Sequence, residues 1–240
     1  MKVSRFYAPR MQVLPTGRAL FLLPLIALGC SKKPAPVAAE PTESKTEARP
    51  QTATSAPPDS AKIGAPAPDF ELSDTEGKSI KLSSLRGNVV VLEWFNPECP
   101  FVKKSHTKGS LVDTAARQTK AGVTWLAINS AAPGKQGHDV EKNRGAKTTF
   151  NLSHPILLDE AGKVGKAYGA KRTPHMFVID KQGVLVYAGA IDNSPDGEGE
   201  SPSDGKLVNY VDAAIDALGA GRPVAKAETQ AYGCSVKYQM

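Results

Sequence analysis

Short apolar runs separated by amphipathic stretches fill the chain from about residue 69 onward. The segments 69–72 and 79–82 flank a Thr-Glu-Gly turn signal, which predicts a β-hairpin. The nearly continuous apolar runs 88–95 and 122–129 are typical of strands that are buried on both faces. Further strands, of which the last two form a hairpin, are predicted at 155–159, 176–180 and 184–187.

Helices are predicted between and after these strands. One runs from Pro100 towards Lys120 and is weakened at Gly109. A polar helix is expected over about 138–150, and a short helix over 164–168. The apolar face of a last helix is formed by Leu207, Val208, Val211, Ile215 and Leu218. This order of elements predicts an α/β fold with helices flanking a central mixed β-sheet.

The first 29 residues have a different pattern. They hold four basic residues and no acidic ones, and a ten-residue apolar run covers 19–28. A membrane-spanning helix needs about 20 apolar residues, so this run fits the core of a signal peptide. It ends in Gly29-Cys30, which resembles a bacterial lipobox and implies lipidation of Cys30. The alternative is an ordinary secretory signal with an incidental cysteine.

The lipobox resemblance implies a place in the bacterial cell. Ser31 follows the cysteine without an aspartate, which resembles the outer-membrane sorting class of lipoproteins. A lipid anchor in the outer membrane would leave the rest of the chain facing the periplasm. Several acyl chains give stable attachment where a single chain does not.

A low-complexity segment follows. Residues 31–62 are rich in Pro, Ala, Thr, Ser, Glu and Lys, and eight of the 19 prolines fall between Pro34 and Pro68. Such a composition buries too little apolar surface to offset the entropy of ordering. We therefore predict a signal peptide at 1–29, a disordered tether at 30–63 and a single domain at 64–240.

Charge and cysteine content exclude other classes. The formal net charge is +6, but four of the 30 basic residues lie in 1–29, which leaves 26 basic against 24 acidic residues, or +2. Nucleic acid is therefore not an expected partner. Three cysteines are too few for a disulfide scaffold or a four-ligand zinc site, and no cofactor or metal is predicted.

Cys99 is the candidate for chemistry. It follows a buried strand, and Pro100 suits the first turn of the helix that begins there. A thiol at a helix N-terminus meets unpaired N–H groups and the positive end of the dipole, both of which stabilise a thiolate. An inert buried cysteine is the alternative, but strand-to-helix turns are where α/β proteins place reactive groups.

Segments 92–102 and 172–180 together resemble the thioredoxin superfamily. The similarity is greatest to the peroxiredoxin-like branch of the alkyl hydroperoxide reductase and thiol-specific antioxidant family, and it covers about 64–219. The resemblance implies a thioredoxin-like fold, with Cys99 as the redox nucleophile and Val102 where a second cysteine commonly stands. It also implies that Thr173 and the cis proline Pro174 form a substrate-binding loop, which His175 adjoins.

Glu93 matches the buried acid that thioredoxins place beneath their cysteines. A desolvated carboxylate has a raised pKa, which would suit it to accept a thiol proton. A solvated acid at the sheet edge is the alternative. His106, seven residues after Cys99, is too far along the helix to bond the thiol directly.

The chain departs from the peroxiredoxin pattern. Asn96 stands where a hydroxyl residue is expected, and Pro174 stands where the peroxide-orienting arginine is expected, although Arg172 is near. Both groups polarise the O–O bond, so the sequence favours disulfide exchange, with thiol peroxidase (antioxidant) activity as the alternative. A less favoured alternative is copper delivery with Cys99, Cys234 and one of His106 or His175 as ligands.

Cys234 is the remaining thiol in the predicted domain. It lies in a tail beyond the last helix, and three possibilities stay open: a resolving cysteine, a static structural disulfide, or no bond with Cys99. We expect a thiol-dependent oxidoreductase that uses Cys99, Glu93 and, as a possible resolving residue, Cys234. Its partners would be a disulfide-bearing protein or an oxidant, together with a thiol electron donor.

Overall fold

A computed structural model describes residues 60–239, and the predicted signal peptide, Cys30 and most of the predicted tether lie outside this range. The strands are β1 (Glu71–Ser73), β2 (Ser79–Lys81), β3 (Val90–Trp94), β4 (Thr124–Asn129), β5 (Ile156–Leu158), β6 (Arg172–Thr173), β7 (His175–Ile179), β8 (Leu185–Gly189) and β9 (Cys234–Ser235). The helices are α1 (Pro100–Thr107), α2 (Thr114–Lys120), α3 (Val140–Thr149), α4 (Lys163–Ala167) and α5 (Tyr210–Gly219), with a 3₁₀ turn at Leu82–Leu85.

A five-stranded mixed sheet is at the centre, in the order β5-β4-β3-β7-β8. Strands β3, β4 and β5 are parallel, whereas β7 pairs antiparallel with both β3 and β8. All five residues of β3 are buried, as expected for the middle strand of a sheet covered on both faces. The predicted α/β architecture is therefore confirmed.

Alternation along the strands sends side chains to two different cores. Leu92 and Trp94 pack with Phe177 on the face covered by the β1–β2 hairpin and α4. Val91 and Val178 pack on the opposite face against α2 and α5. A third cluster extends this second core under α1 and α3, and it contains Phe95, Cys99, Val102, Ala127, Ala146, Phe150 and Ile156.

Two predicted helices are wrong in extent. The helix expected over 100–120 is broken, and its two parts, α1 and α2, flank Gly109. A Cβ at Gly109 would lie 2.3 Å from the carbonyl oxygen of Gly197, so a neighbouring loop packs directly on the break. The last helix starts only at Tyr210, because the Asn209 side chain caps it by accepting hydrogen bonds from two backbone N–H groups.

The C-terminal tail contributes a strand that the sequence analysis did not predict. Strand β9 pairs antiparallel with β6, and Thr173 lies opposite Cys234 in this register. The pairing brings a residue from the far end of the chain to the loop that precedes Pro174. Within residues 60–239, no helix has the length and apolar character needed to cross a bilayer.

We predict that Leu92→Ala lowers the free energy of unfolding by about 2–5 kcal/mol, because Leu92 is fully buried in the middle strand. Urea denaturation followed by circular dichroism measures this loss. Val112→Ala is the matched control: Val112 is 53% exposed, and its replacement should change the stability by less than about 0.5 kcal/mol. Equal effects of the two substitutions would contradict the assigned core.

Candidate active site

Cys99 lies at the N-terminus of α1, with Pro100 as the first helical residue. Its backbone is extended (φ −72°, ψ 124°), and its carbonyl accepts the first helical hydrogen bond, from Lys103 N–H at 3.0 Å. The N–H groups of the first turn therefore point towards this region, as they do at any helix N-terminus. The residue is completely buried, with 0% of its surface exposed.

The Thr173–Pro174 peptide bond is cis, as the family resemblance implied. The thiol of Cys99 donates a hydrogen bond to the carbonyl oxygen of Thr173 at 3.1 Å. The structure thus brings the predicted nucleophile and the predicted substrate loop together, although 74 residues separate them in sequence. The buried hydroxyl of Thr173 has no hydrogen-bond partner in the described part of the chain.

Cys234 lies at the same place. It pairs with Thr173 across the β6–β9 ladder and packs against the cluster that contains Cys99. Burial, reinforced by hydrogen bonding and charge from the neighbouring Cys99, raises the pKa of the Cys234 thiol to about 11. Phe101 N–H, in the first turn of α1, acts in the opposite direction. Both cysteines are free thiols in this structure.

Gly233 permits this close approach, and the sequence analysis missed it. Its φ of +110° is one that side-chain-bearing residues rarely adopt, and an added Cβ would lie 2.2 Å from the carbonyl oxygen of Thr173. Its position directly before a tail cysteine was the available signal. A residue with a side chain at 233 would push the tail away from the loop.

The turn that leads into Cys99 is fixed by hydrogen bonds. The Asn96 side chain accepts from Glu98 N–H at 2.9 Å and donates to the carbonyl of Gln136 at 3.1 Å. The Glu98 carboxylate binds Gly137 N–H at 2.7 Å and the Lys142 ammonium at 2.8 Å. Asn96 is therefore occupied with the turn, and the Arg172 side chain is exposed. Neither residue takes up the place of a peroxide-polarising group.

Glu93 is fully buried, as predicted, but its pKa moves in the opposite direction to the prediction. Its two carboxylate oxygens bind His106 Nε2 at 2.7 Å and Trp125 Nε1 at 3.0 Å. Burial alone raises the pKa of Glu93, but the charge and hydrogen bond of His106, with the Trp125 N–H, outweigh it and hold this pKa below its usual range. The expectation of a raised pKa, on which the role of proton acceptor rested, is wrong.

His106 is the partner that the sequence analysis missed. Its Nε2 lies 2.7 Å from the Glu93 carboxylate in the neighbouring strand β3. Its ring stacks on Phe150, with 5.4 Å between ring centroids, and meets the edge of Phe95. The pair therefore joins α1 to the sheet. The two phenylalanines that contact His106 belong to the hydrophobic cluster that contains Cys99.

His175 is turned away from Cys99. Its ring lies against Phe177, with 4.4 Å between centroids, on the face that carries the hairpin. Burial, with a smaller effect of Lys171, lowers the pKa of His175 to about 4, which leaves the ring neutral. Although His175 adjoins the predicted substrate-binding loop, alternation along β7 points its side chain to the face opposite the thiol.

The copper alternative gains no support from these positions. His106 binds Glu93, and His175 lies on the other face, so neither completes a site with the two cysteines. Within residues 60–239, no group of three or more His, Cys, Asp or Glu side chains is arranged to hold a metal ion.

A buried cysteine at a helix N-terminus, facing a cis-proline loop at the end of a mixed sheet, defines a thioredoxin-like protein. The Redoxin family model matches residues 62–206, and this chain belongs to that family. The match ends before the tail that carries Cys234.

Relatives agree with this assignment. Thiol-disulfide oxidoreductase ResA of Geobacillus thermodenitrificans is 35% identical over 122 residues, which cover 50% of this chain and 65% of that protein. The match thus spans less than two thirds of that relative's length. Similar solved structures include a hypothetical protein from Sinorhizobium meliloti (28% identity, TM-score 0.65, covering 75% of this chain and 96% of that one). Another is an uncharacterised conserved protein from Geobacillus kaustophilus (31% identity, TM-score 0.65, covering 74% of this chain and 93% of that one).

We predict that His106→Phe destabilises the fold by about 3–5 kcal/mol at neutral pH, because it leaves the buried Glu93 carboxylate without its hydrogen-bonded partner. The double variant Glu93→Leu/His106→Phe removes both polar groups and should be more stable than His106→Phe alone. Urea titration of the two single variants and the double variant measures the coupling. Additive losses would contradict a paired role.

The same pair predicts a pH dependence. Because the pKa of Glu93 is lowered in the folded state, its ionised form stabilises the wild-type protein above about pH 4.5, the ordinary pKa of a glutamate, and this contribution is lost as the pH falls through the folded pKa. The difference in stability between wild type and His106→Phe should therefore shrink towards acid pH. A difference that stays constant would contradict this assignment.

Proposed function

We propose that this protein is a thiol–disulfide oxidoreductase in which Cys99 is the nucleophile and Cys234 its resolving partner. One observation carries the proposal. The β6–β9 pairing puts Cys234 opposite Thr173, whose carbonyl accepts the hydrogen bond of the Cys99 thiol. Two thiols thus meet at a helix N-terminus, although the usual position for a second cysteine holds Val102. The similarity to thiol-disulfide oxidoreductase ResA supports the same chemistry.

The two thiols have different tasks. Cys99 lies at a helix N-terminus and is the attacking thiol, whereas the raised pKa keeps Cys234 protonated in the reduced protein. The Cys99 thiolate attacks a substrate disulfide, which forms a mixed disulfide and releases one substrate thiolate. Cys234 then loses its proton and attacks Cys99 Sγ, which releases the second substrate thiolate. The product is a Cys99–Cys234 disulfide.

Electrons balance over the cycle. The substrate disulfide gains two electrons and, from solvent, two protons, and the protein loses the same number as its disulfide forms. An external thiol donor must supply two electrons to reduce that disulfide before another turnover. The proposed substrate is a disulfide-bearing polypeptide, and the proposed electron donor is a thiol.

Neighbouring residues hold the geometry. Thr173 and Pro174 form the loop that faces the nucleophile. The carbonyl oxygen of Thr173 accepts the hydrogen bond of the Cys99 thiol. Glu93 acts as a positioning residue: together with His106 it fixes α1, and hence its N-terminus, against the sheet. His175 has no part in the exchange, since it lies on the other face.

We predict that Cys99→Ser abolishes reduction of a disulfide-bearing peptide, and that Cys234→Ser stops the reaction at the mixed disulfide. The assay uses the full chain with Cys30→Ser, so that only the two proposed thiols remain. Non-reducing peptide mapping before and after oxidation should show a reversible Cys99–Cys234 link in the parent. The two thiols staying free under oxidant, or full turnover by Cys234→Ser, would refute the resolving role. Peroxide turnover faster than peptide reduction would favour the thiol peroxidase alternative.

The proposed location follows from the N-terminal sequence, which lies outside the described residues. We propose that Cys30 is lipidated and tethers the domain to the bacterial envelope, in the outer membrane and facing the periplasm. Labelled palmitate should enter the wild type and not Cys30→Ser, and the variant should leave the membrane fraction. Cys234→Ser is the control that keeps the label. Label in Cys30→Ser would contradict the assignment.

A further inference from the structure

The nucleophile is closed off in this structure. Cys99 is 0% exposed, so no disulfide of another polypeptide reaches its sulfur without a movement of the protein. Helix α1 and the central sheet belong to the buried core and are poor candidates for that movement. The covering part that can move must lie elsewhere.

The tail is that part. Gly233 lies against the Thr173 carbonyl and the Phe101 side chain. The Tyr232 ring packs against the Phe101 ring, with 6.4 Å between the ring centroids. Every residue from 232 to 239 is at least partly exposed, and the hydrophobic residues among them, Tyr232, Cys234 and Val236, pack only against the margins of the buried clusters. Segments with few buried contacts open at low free-energy cost compared with global unfolding.

A small set of hydrogen bonds fastens the tail. The Tyr238 hydroxyl donates to the carbonyl of Ala170 at 2.8 Å, and the Tyr232 hydroxyl donates to Asp192 at 2.8 Å. The Lys237 carbonyl accepts from Ala132 N–H at 2.8 Å, and Val236 N–H donates to the Lys171 carbonyl at 3.3 Å. These four contacts add to the β6–β9 ladder and involve tail residues other than Cys234. Each can be weakened without a change at either cysteine.

The tail also occupies a docking edge. Strand β6 has only two residues and lies outside the five-stranded sheet, and its described partner is β9. An exposed backbone edge of this kind accepts any extended peptide by strand addition, because the hydrogen bonds come from the main chain. In the closed form the buried Thr173 hydroxyl is left without a partner, which is a cost that opening relieves.

Resting on the proposed function, we infer that tail residues 232–238 occupy, as an intramolecular strand, the edge on which an extended disulfide-bearing polypeptide docks. Cys234 holds the position that the substrate's cysteine takes. The tail must leave β6 before the mixed disulfide forms. It returns to bring Cys234 to Cys99 once the docked strand has left the edge. The tail therefore excludes the substrate first and resolves the mixed disulfide afterwards.

Two variants loosen the tail and leave both cysteines in place. Gly233→Ala puts a methyl group against the Thr173 carbonyl, and Tyr238→Ala removes an anchor far from the thiols. Gly221→Ala is the matched glycine control, since it also has a positive φ (+63°) but open space around the added methyl. Tyr210→Ala is the matched tyrosine control, at the start of α5. All are made in the full chain with Cys30→Ser, and circular dichroism verifies that they fold.

The first measurement is the rate at which N-ethylmaleimide modifies Cys99, followed by mass spectrometry. The second is the rate at which the reduced protein cleaves the mixed disulfide between a ten-residue cysteine peptide and thionitrobenzoate. We expect both rates to rise about 5- to 30-fold in the two tail variants, the range for a local equilibrium shifted by one or two kcal/mol, with little change in the controls.

Other outcomes are decisive in the opposite direction. Modification of Cys99 that is no faster in either tail variant would overturn the inference. Faster modification of Cys99 without faster cleavage of the mixed disulfide would show that the tail covers the thiol but does not occupy the docking edge. This result would also overturn the inference. Failure of the proposed function is distinguishable from failure of this inference. If the proposed function is wrong, Cys99→Ser cleaves the mixed disulfide of the peptide as fast as the parent does. The maleimide rates still report the opening of the tail in that case.

Discussion

The carbonyl group of Thr173 is the point on which the site depends. It accepts the hydrogen bond of the Cys99 thiol, and its residue pairs with Cys234 across a two-residue ladder. Gly233 fits against the same oxygen without a side chain to obstruct it. Three segments that are distant in sequence therefore converge on one backbone group. The position of a backbone carbonyl is fixed by the chain and does not depend on a side-chain rotamer, so these contacts keep a constant geometry.

The sheet and α1 are connected by the buried hydrogen bond between Glu93 and His106, and burying the carboxylate has an electrostatic cost. Glu93 lies in the fully buried middle strand, where a carboxylate without a partner would not stay ionised. His106 and Trp125 supply the charge and the donors that hold it there. The pair fixes the helix whose N-terminus carries Cys99. The lowered pKa of Glu93 makes it a weaker acceptor of a thiol proton than expected, so we assign it a positioning role in the proposed cycle.

The tail distinguishes this chain from the part that the Redoxin family model describes. That match ends at residue 206, whereas the second thiol of the proposed couple is at 234. Placing the partner thiol on a peripheral strand separates two properties that a Cys-x-x-Cys helix combines. The nucleophile keeps the environment of a helix N-terminus, and the resolving thiol becomes free to move. Such a division lets one segment both cover the thiol and react with it.

The sequence by itself determined the α/β class, most strands, and Cys99 with Pro100 at a helix start, while the cis bond before Pro174 was implied by the family resemblance. These features depend on local apolar patterns and on motifs that are continuous in the chain. Tertiary structure alone decided that His106 binds Glu93, that His175 faces the other core, and that Cys234 lies opposite Thr173. The Gly109 break and the late start of α5 also come from packing and capping. Such contacts join residues far apart in sequence, and a single sequence carries no local signal for which partners meet.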